Sequence, residues 1–187
     1  MSKVLRVLQR FARASLFAAV AILAAAEVRA EPKDTLHGHP EVVDGDSLAL
    51  GGHRLRLHGV DAPELGQTCT IKGRSYDCGM VARTALLDLT AGTPVACRLL
   101  EDAPALPDTA PGETAARCSV GGYDLSEGMA YTGWALAQRA VTRRHVPHEA
   151  RARERRHGLW KGTFVTPWDW RAGRRLADSE ASDTSRE

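Results

Sequence analysis

The segment from residue 42 to residue 64, VVDGDSLALGGHRLRLHGVDAPE, constrains the fold most strongly because two strand-like runs meet at a glycine pair. Residues 41–50 and 53–60 have the composition of strands, and Gly51-Gly52 between them is typical of a tight hairpin turn. The segment also carries four acidic residues, which strands ordinarily disfavour, namely Asp44, Asp46, Asp61 and Glu64. Asp-Gly pairs favour turns and converging carboxylates favour a hard divalent cation, so both interpretations stay open at this point.

The second strand of this hairpin, residues 53–60, directs an arginine toward the acidic residues. Alternation places its leucines in the core and Arg56 on the opposite, outward face. Hairpin pairing brings Asp46 near the strand end that carries Asp61, with Glu64 close by. A divalent cation can polarise a phosphoryl oxygen, a free carboxylate can deprotonate a water, and an arginine can bind two phosphate oxygens. The segment therefore holds the parts that phosphodiester hydrolysis requires; exposed turn acids beside an exposed strand arginine are the alternative.

Three later segments have helical patterns. Residues 78–92 place four apolar residues on one helical face, namely Val81, Ala85, Leu86 and Leu89. Residues 124–135 predict a short helix, and residues 146–160 predict a third helix that Gly158 stops.

Two more strands are predicted at residues 93–100 and 114–122, on either side of a loop at 101–113 that contains three prolines. Early strands with interspersed helices, without regular βαβ alternation, indicate an antiparallel α+β fold or a small barrel. Three tryptophans follow the last helix and are expected to cover the barrel core, namely Trp160, Trp168 and Trp170.

The two ends of the chain differ from the part between them. Residues 1–30 combine a basic start, a 13-residue apolar run at 14–26 and a Val-x-Ala ending, which together predict a signal peptide cleaved after Ala30. We therefore expect an exported protein, periplasmic or secreted, without stable membrane association after cleavage; an uncleaved anchor is the alternative. Residues 173–187 have little to bury and are predicted to be disordered.

Four cysteines follow the predicted signal peptide, namely Cys69, Cys78, Cys97 and Cys118. An oxidising compartment allows them to pair, and three connectivities are possible. The pairing of Cys69 with Cys78 and of Cys97 with Cys118 is favoured because the first closes a short loop and the second joins neighbouring predicted strands. A zinc site is the alternative, although the chain has no C-x-x-C pair or suitably spaced histidine beside them.

Positive charge is concentrated in one segment. The formal net charge is +2, but residues 1–30 hold five Lys+Arg and one acid, so the remaining chain carries −2. Residues 139–156 contain seven arginines against two glutamates. A solvated helix face is one interpretation of this segment; a contact surface for nucleic acid, formed by Arg139, Arg143 and Arg144, is the other. We expect the protein to be a monomer.

Four short motifs together resemble one family. VVDGDSLAL, RLHGVDAPE, GLW and PWDW are similar to segments of the thermonuclease family, the secreted staphylococcal-nuclease-like enzymes, and the resemblance covers roughly residues 38–171. It implies one domain at 36–172 with an α+β fold, a five-stranded Greek-key β-barrel of OB type with about three helices. It also implies a calcium-dependent nuclease acting on DNA and RNA. OB barrels are common platforms for single-stranded nucleic acid.

Position by position, the resemblance assigns roles to the acidic hairpin. Asp46 and Asp61 become Ca²⁺ ligands together with the main-chain carbonyl of Ala62, where the family usually has threonine. Glu64 falls on the position of the general base or water-orienting carboxylate. Arg56 falls on the first phosphate-binding arginine.

One position departs from the family pattern. A second catalytic arginine is expected after a Tyr-Gly pair, but here Pro111 and Gly112 are followed by Glu113. Because a carboxylate cannot donate to a phosphoryl oxygen, this change removes a donor of the kind whose loss costs roughly 10²–10³ in rate. The expectation is therefore a nuclease, with a catalytically impaired nucleic-acid-binding module as the first alternative and an exported interaction domain as the second.

Overall fold

A computed structural model describes residues 34–100 and 111–176 of the 187-residue chain. The predicted signal peptide at 1–30, the tail from residue 177 onward and most of the predicted proline loop lie outside these residues.

The described chain is mixed α+β. Its strands are β1 (Thr35–Gly38), β2 (Glu41–Val42), β3 (Ser47–Leu50), β4 (His53–Leu57), β5 (Val60–Asp61), β6 (Thr68–Ile71), β7 (Arg74–Asp77), β8 (Val95–Leu99), β9 (Glu113–Val120), β10 (Tyr123–Asp124) and β11 (Leu136–Ala137). Its α-helices are α1 (Cys78–Thr90), α2 (Leu125–Thr132), α3 (Val146–Glu154) and α4 (Pro167–Arg171), with a 3₁₀-helix at Gly158–Lys161.

Seven strands form a curled, half-barrel sheet in the order β1-β8-β9-β4-β3-β2, with β10 paired to β9. Neighbouring strands are antiparallel except β4 and β9, which run parallel. The predicted hairpin is confirmed: β3 and β4 pair from Ser47↔Arg56 to Leu50↔His53, and both turn glycines have positive φ. The parallel pairing sets the start of β9 beside β4, so Glu113 is the partner of Arg54.

The hairpin strands are more interrupted than predicted. The first run is divided into β2 and β3 by a turn, and the second is divided into β4 and β5 at Gly59, whose φ is 85°. Residues 43–46 leave the sheet because Val43 and Asp44 donate their amide protons to the carbonyl of Ser47, which closes a turn instead of a ladder.

The inner side of the sheet packs on α1 and α2 to form the core, whose largest completely buried side chains include Leu48, Leu55, Leu57, Leu86 and Met129. Burial of this much apolar surface is the main stabilising contribution to such a fold.

Three helical predictions need correction. Four α-helices occur in the described residues, against about three expected, because the segment around PWDW forms α4. The buried face of α1 consists of Cys78, Gly79, Ala82, Leu86 and Thr90, and Val81 is exposed. The apolar pattern missed this face because the small residues at 79 and 82 allow close backbone approach. The third helix ends at Glu154, before Gly158, since Arg156 has a positive φ of 52°.

Both favoured disulfides are present, Cys69–Cys78 between β6 and the start of α1, and Cys97–Cys118 between β8 and β9. Cys97 and Cys118 lie directly opposite each other in the antiparallel register. Two disulfides are consistent with an exported protein in an oxidising environment.

Within residues 34–100 and 111–176, no helix combines the length and the apolar character needed to cross a membrane.

Candidate functional site

The turn before β3 directs Asp46 into the molecule. The amide of Asp46 donates to the Asp44 carboxylate at 3.0 Å, so the turn explanation of Asp44 is confirmed. Gly45 between them has no room for a side chain, because a Cβ would lie 2.6 Å from the Cβ of Ala62 and 2.8 Å from that of Ala82. This close packing brings the turn against the β5 end and α1.

The Asp46 carboxylate is 4% exposed and accepts three hydrogen bonds. Its Oδ2 accepts from Nη2 of Arg56 at 3.0 Å and from the amide of Ala62 at 2.9 Å, and its Oδ1 accepts from the Ser47 hydroxyl at 3.3 Å. Burial raises the pKa of Asp46 well above its usual value. The charge of Arg56 opposes this rise, and the charges of Asp44 and Asp61 add to it.

Arg56 joins the two aspartates. Its Nη2 lies 3.0 Å from the carboxylates of both Asp46 and Asp61. Its Nη1 lies 4.0 Å from Oε2 of Glu113, whose side chain is 2% exposed. Burial alone would lower the pKa of Arg56, but the charges of Asp46 and Asp61 outweigh burial and raise it. The expectation of an outward-facing arginine is therefore wrong: Arg56 points away from the leucine core, but other acidic side chains cover it.

Asp61 is completely buried and bonded to a second arginine that the sequence did not single out. Arg171, the last residue of α4, donates from Nη1 to Oδ1 of Asp61 at 3.0 Å and from Nη2 to Oδ2 at 2.6 Å. Nη1 of Arg171 also donates to Oε1 of Glu64. The structure thus brings Asp46, Asp61, Glu64 and Arg56 into one cluster and adds Arg171, 110 residues after Asp61.

Gln67 ties the Glu64 segment to the approach to α4. Its side chain is completely buried; its Oε1 accepts from the amide of Glu64 at 3.1 Å, and its Nε2 donates to the carbonyl of Val165 at 2.8 Å. Thr166 then caps α4 by accepting from the amide of Asp169. This one amide side chain therefore holds Glu64 and the helix that carries Arg171 in fixed relative positions.

A hollow of about 280 Å³ lies beside Asp61, between Ala137–Val141 and Trp168. Trp168 is 38% exposed, so the expectation that it covers the core is wrong, whereas Trp160 packs with Phe164 in a second apolar cluster. Of the arginines predicted to contact nucleic acid, Arg139 lines this hollow and pairs with Glu149 at 2.7 Å.

The other two predicted contact residues lie farther along the same segment. Arg143 and Arg144 are exposed, and Nη2 of Arg144 lies 3.5 Å from the Asp124 carboxylate. The segment is therefore partly neutralised by its own ion pairs, and its arginines do not all face the hollow.

Across the described parts of the chain, no three acidic, histidine or cysteine side chains form a ready-made metal site. The cluster does hold four carboxylates, Asp46, Asp61, Glu64 and Glu113, joined to two guanidinium groups, Arg56 and Arg171. These six described side chains have a formal charge of −2 when every group is ionised. Hard oxygen donors with an excess charge of −2 fit a divalent cation such as Ca²⁺.

Comparison with known proteins finds a partial relative. No protein-family model matches the chain. The chain is 40% identical over 62 residues to the succinoglycan biosynthesis protein ExoI of Rhizobium meliloti (strain 1021). The match covers 32% of this chain and 32% of that protein, so the chain spans about a third of the length of this relative. Similarity of this extent is local.

Proposed function

We propose that the protein is an exported, calcium-dependent nuclease that hydrolyses phosphodiester bonds in DNA or RNA, with single-stranded nucleic acid favoured. The observation that carries the proposal is the convergence of Asp46 and Asp61, each 3.0 Å from the same nitrogen of Arg56. Glu64 is joined to this pair through Arg171. The similarity of the hairpin motifs to thermonucleases supports the same conclusion, as does a curled, half-barrel sheet compatible with a barrel-like β fold. We propose that this fold is the five-stranded Greek-key barrel of OB type that the resemblance implies.

Calcium fits the oxygen donors of the cluster. Asp46 and Asp61 would hold it, with the main-chain carbonyl of Ala62 as a third ligand. Bound there, the ion supplies positive charge that polarises a phosphoryl oxygen. Its positive charge would oppose the burial, and the neighbouring aspartate charges, that raise the pKa of Asp46.

The protein's own residues have distinct roles in the proposed reaction. Glu64, whose side chain is 31% exposed, takes the proton of a water whose oxygen attacks phosphorus. One P–O ester bond breaks as the new bond forms, and the departing sugar oxygen takes a proton from solvent. Arg56 is 6% exposed, so it holds Asp46 and Asp61 in one orientation and offsets negative charge on the phosphate from behind them. Arg139 binds the nucleic-acid backbone at the hollow beside Asp61, with Arg143 and Arg144 farther along the strand.

A nucleic-acid-binding OB module with little turnover is the second candidate, and Glu113 favours it. The buried Glu113 carboxylate lies 4.0 Å from Nη1 of Arg56 and adds negative charge to the cluster. Repulsion between a carboxylate and a phosphodiester weakens substrate binding and removes a donor for the transition state.

Digestion of labelled single-stranded DNA by the purified protein separates the candidates. A nuclease cleaves the DNA with calcium and stops when a chelator is added. The binding module retains DNA at low salt without calcium-dependent cleavage, and Glu113→Arg then raises cleavage by about tenfold or more. Neither cleavage nor retention would contradict both candidates and favour an interaction domain.

A further inference from the structure

Arg171 is more exposed to solvent than Arg56, the other guanidinium group of the cluster. Its side chain is 22% exposed, whereas that of Arg56 is 6% exposed. Within the described part of the chain, the carboxylates around Arg56 are those of Asp46, Asp61 and Glu113. An incoming anion therefore meets the guanidinium of Arg171 first.

The contacts of Arg171 also place it between two acidic groups with different surroundings. Asp61 is completely buried, and the Glu64 side chain is 31% exposed. Nη1 of Arg171 donates to both, so it holds the carboxylate of Glu64 beside that of Asp61. Removing Arg171 would leave Glu64 free to rotate into solvent.

The helix that carries Arg171 is anchored independently of these contacts. Thr166 and Asp169 exchange hydrogen bonds at its start, and Gln67 fixes the preceding Val165. Trp168, one turn before Arg171, lines the hollow beside Asp61. The helix thus holds Arg171 against Asp61, which lines the same hollow as Trp168.

We propose that Arg171 is a phosphate-binding residue of this site and that it holds Glu64 in place until the phosphodiester binds, an assignment that rests on the proposed function. The planar guanidinium matches two phosphate oxygens as well as it matches a carboxylate. A bound phosphodiester exchanges with Glu64 as the partner of Nη1, which releases Glu64 to accept the proton of the attacking water. Arg171 thereby supplies, from the last helix, positive charge that Glu113 does not supply from β9.

Two measurements on three variants test the assignment. Fluorescence anisotropy of a labelled single-stranded oligonucleotide in chelator reports binding without cleavage, and single-turnover cleavage in calcium reports the chemical step. Arg171→Gln should weaken binding roughly tenfold, because a charged bidentate contact is lost, and should slow cleavage by about 10²–10³. Arg171→Lys keeps the charge without the fork and should fall between wild type and Arg171→Gln in both. Arg174→Gln is the matched control; that side chain is 70% exposed and pairs with Asp169, and both readouts should stay within about twofold.

The outcomes distinguish this proposal from the proposed function. Wild-type binding and cleavage in a folded Arg171→Gln protein would overturn the role of Arg171 and leave the nuclease assignment intact. Absence of cleavage in every protein, wild type included, would overturn the nuclease assignment, and the anisotropy measurement would then decide whether Arg171 binds phosphate. If Arg171→Gln does not fold, Arg171→Lys decides the matter, and wild-type behaviour in that variant would overturn the proposal.

Discussion

Gly79, the second residue of α1, lies against the main-chain carbonyl of Glu64 so closely that a Cβ on residue 79 would overlap the oxygen. In an isolated helix, Gly→Ala is stabilising by roughly 0.5–1 kcal/mol. Here we expect Gly79→Ala to lower the free energy of unfolding by about 1–3 kcal/mol, since overpacking outweighs the helical preference. Cleavage by the folded variant should also fall, because the added Cβ must displace the backbone of Glu64, the proposed general base.

Urea denaturation and single-turnover cleavage measure both effects of Gly79→Ala. Asp88→Ala, at an exposed position of the same helix, is the control and should stay within about 0.5 kcal/mol of wild type. Unchanged stability and cleavage in Gly79→Ala would contradict the close packing of α1 on Glu64.

Arg56→Met tests the buried ion pairs. This change leaves the carboxylates of Asp46 and Asp61 buried without their shared guanidinium, and removing one partner of a buried pair typically costs about 3–5 kcal/mol. We expect a loss of that size in the free energy of unfolding, measured by urea denaturation. Calcium should restore part of it, if the ion binds the same carboxylates. Arg54→Met, two residues away and exposed, should change stability little; equal effects of the two changes would refute the buried role of Arg56.

The burial of His145 predicts that the free energy of unfolding decreases as the pH falls. The side chain is 2% exposed and packs beside Gly59, and its Nδ1 has no hydrogen-bond partner among the described residues. Burial lowers the pKa of His145, with the charge of Arg144 acting in the same direction and that of Asp124 opposing. Its contribution to stability should be complete above about pH 6.5, the ordinary histidine pKa, and should disappear as pH falls through the lower folded pKa.

The measurement for His145 is the free energy of unfolding between about pH 5 and pH 8, for wild type and His145→Gln. The difference between the two curves isolates this one group, and wild type should lose more stability on acidification. His53→Gln, at an exposed position, should parallel wild type. Parallel curves for wild type and His145→Gln would show that burial of His145 has no such effect.

The predicted nucleic-acid surface should appear in the salt dependence of binding. Each phosphate neutralised on a single strand contributes about 0.7 to the slope of log K against log salt. Substituting Arg139, Arg143 and Arg144 together by Gln should therefore reduce the slope by up to about 2 in fluorescence anisotropy with chelator present. A control with Lys72, Arg74 and Lys161 replaced by Gln removes the same charge elsewhere; an equal reduction there would indicate nonspecific attraction.

Local sequence signals predicted the parts of the fold that depend on neighbours in the chain. The Gly51-Gly52 hairpin, the pairing of the strands that hold Cys97 and Cys118, and the turn role of Asp44 all follow from local chemistry, and the structure contains each of them. Such signals missed the exposed Val81, because close contact of α1 with Glu64 and Gly45 through small residues set the orientation of the helix.

The remaining features of the site depend on contacts between distant segments. Strand alternation correctly predicted that Arg56 points away from the leucines. It could not predict that Glu113, at the start of a strand 57 residues later, would help to bury Arg56. Arg171 lies 110 residues after Asp61, and nothing in its local pattern indicates that contact. The PWDW motif marked its neighbourhood, but only the packing of α4 brings the guanidinium to the acidic cluster.

The most direct measurement is the single-turnover rate at which the protein cleaves labelled single-stranded DNA in calcium, compared between wild type and Glu64→Gln. The matched control is Glu127→Gln, whose side chain is 34% exposed on α2 and pairs with His148. We predict calcium-dependent cleavage by wild type and by Glu127→Gln, and a rate lower by about 10²–10⁴ for Glu64→Gln, the range expected for loss of a general base. Equal cleavage by wild type and Glu64→Gln, or no cleavage by wild type, would contradict the assignment of this cluster as a nuclease site.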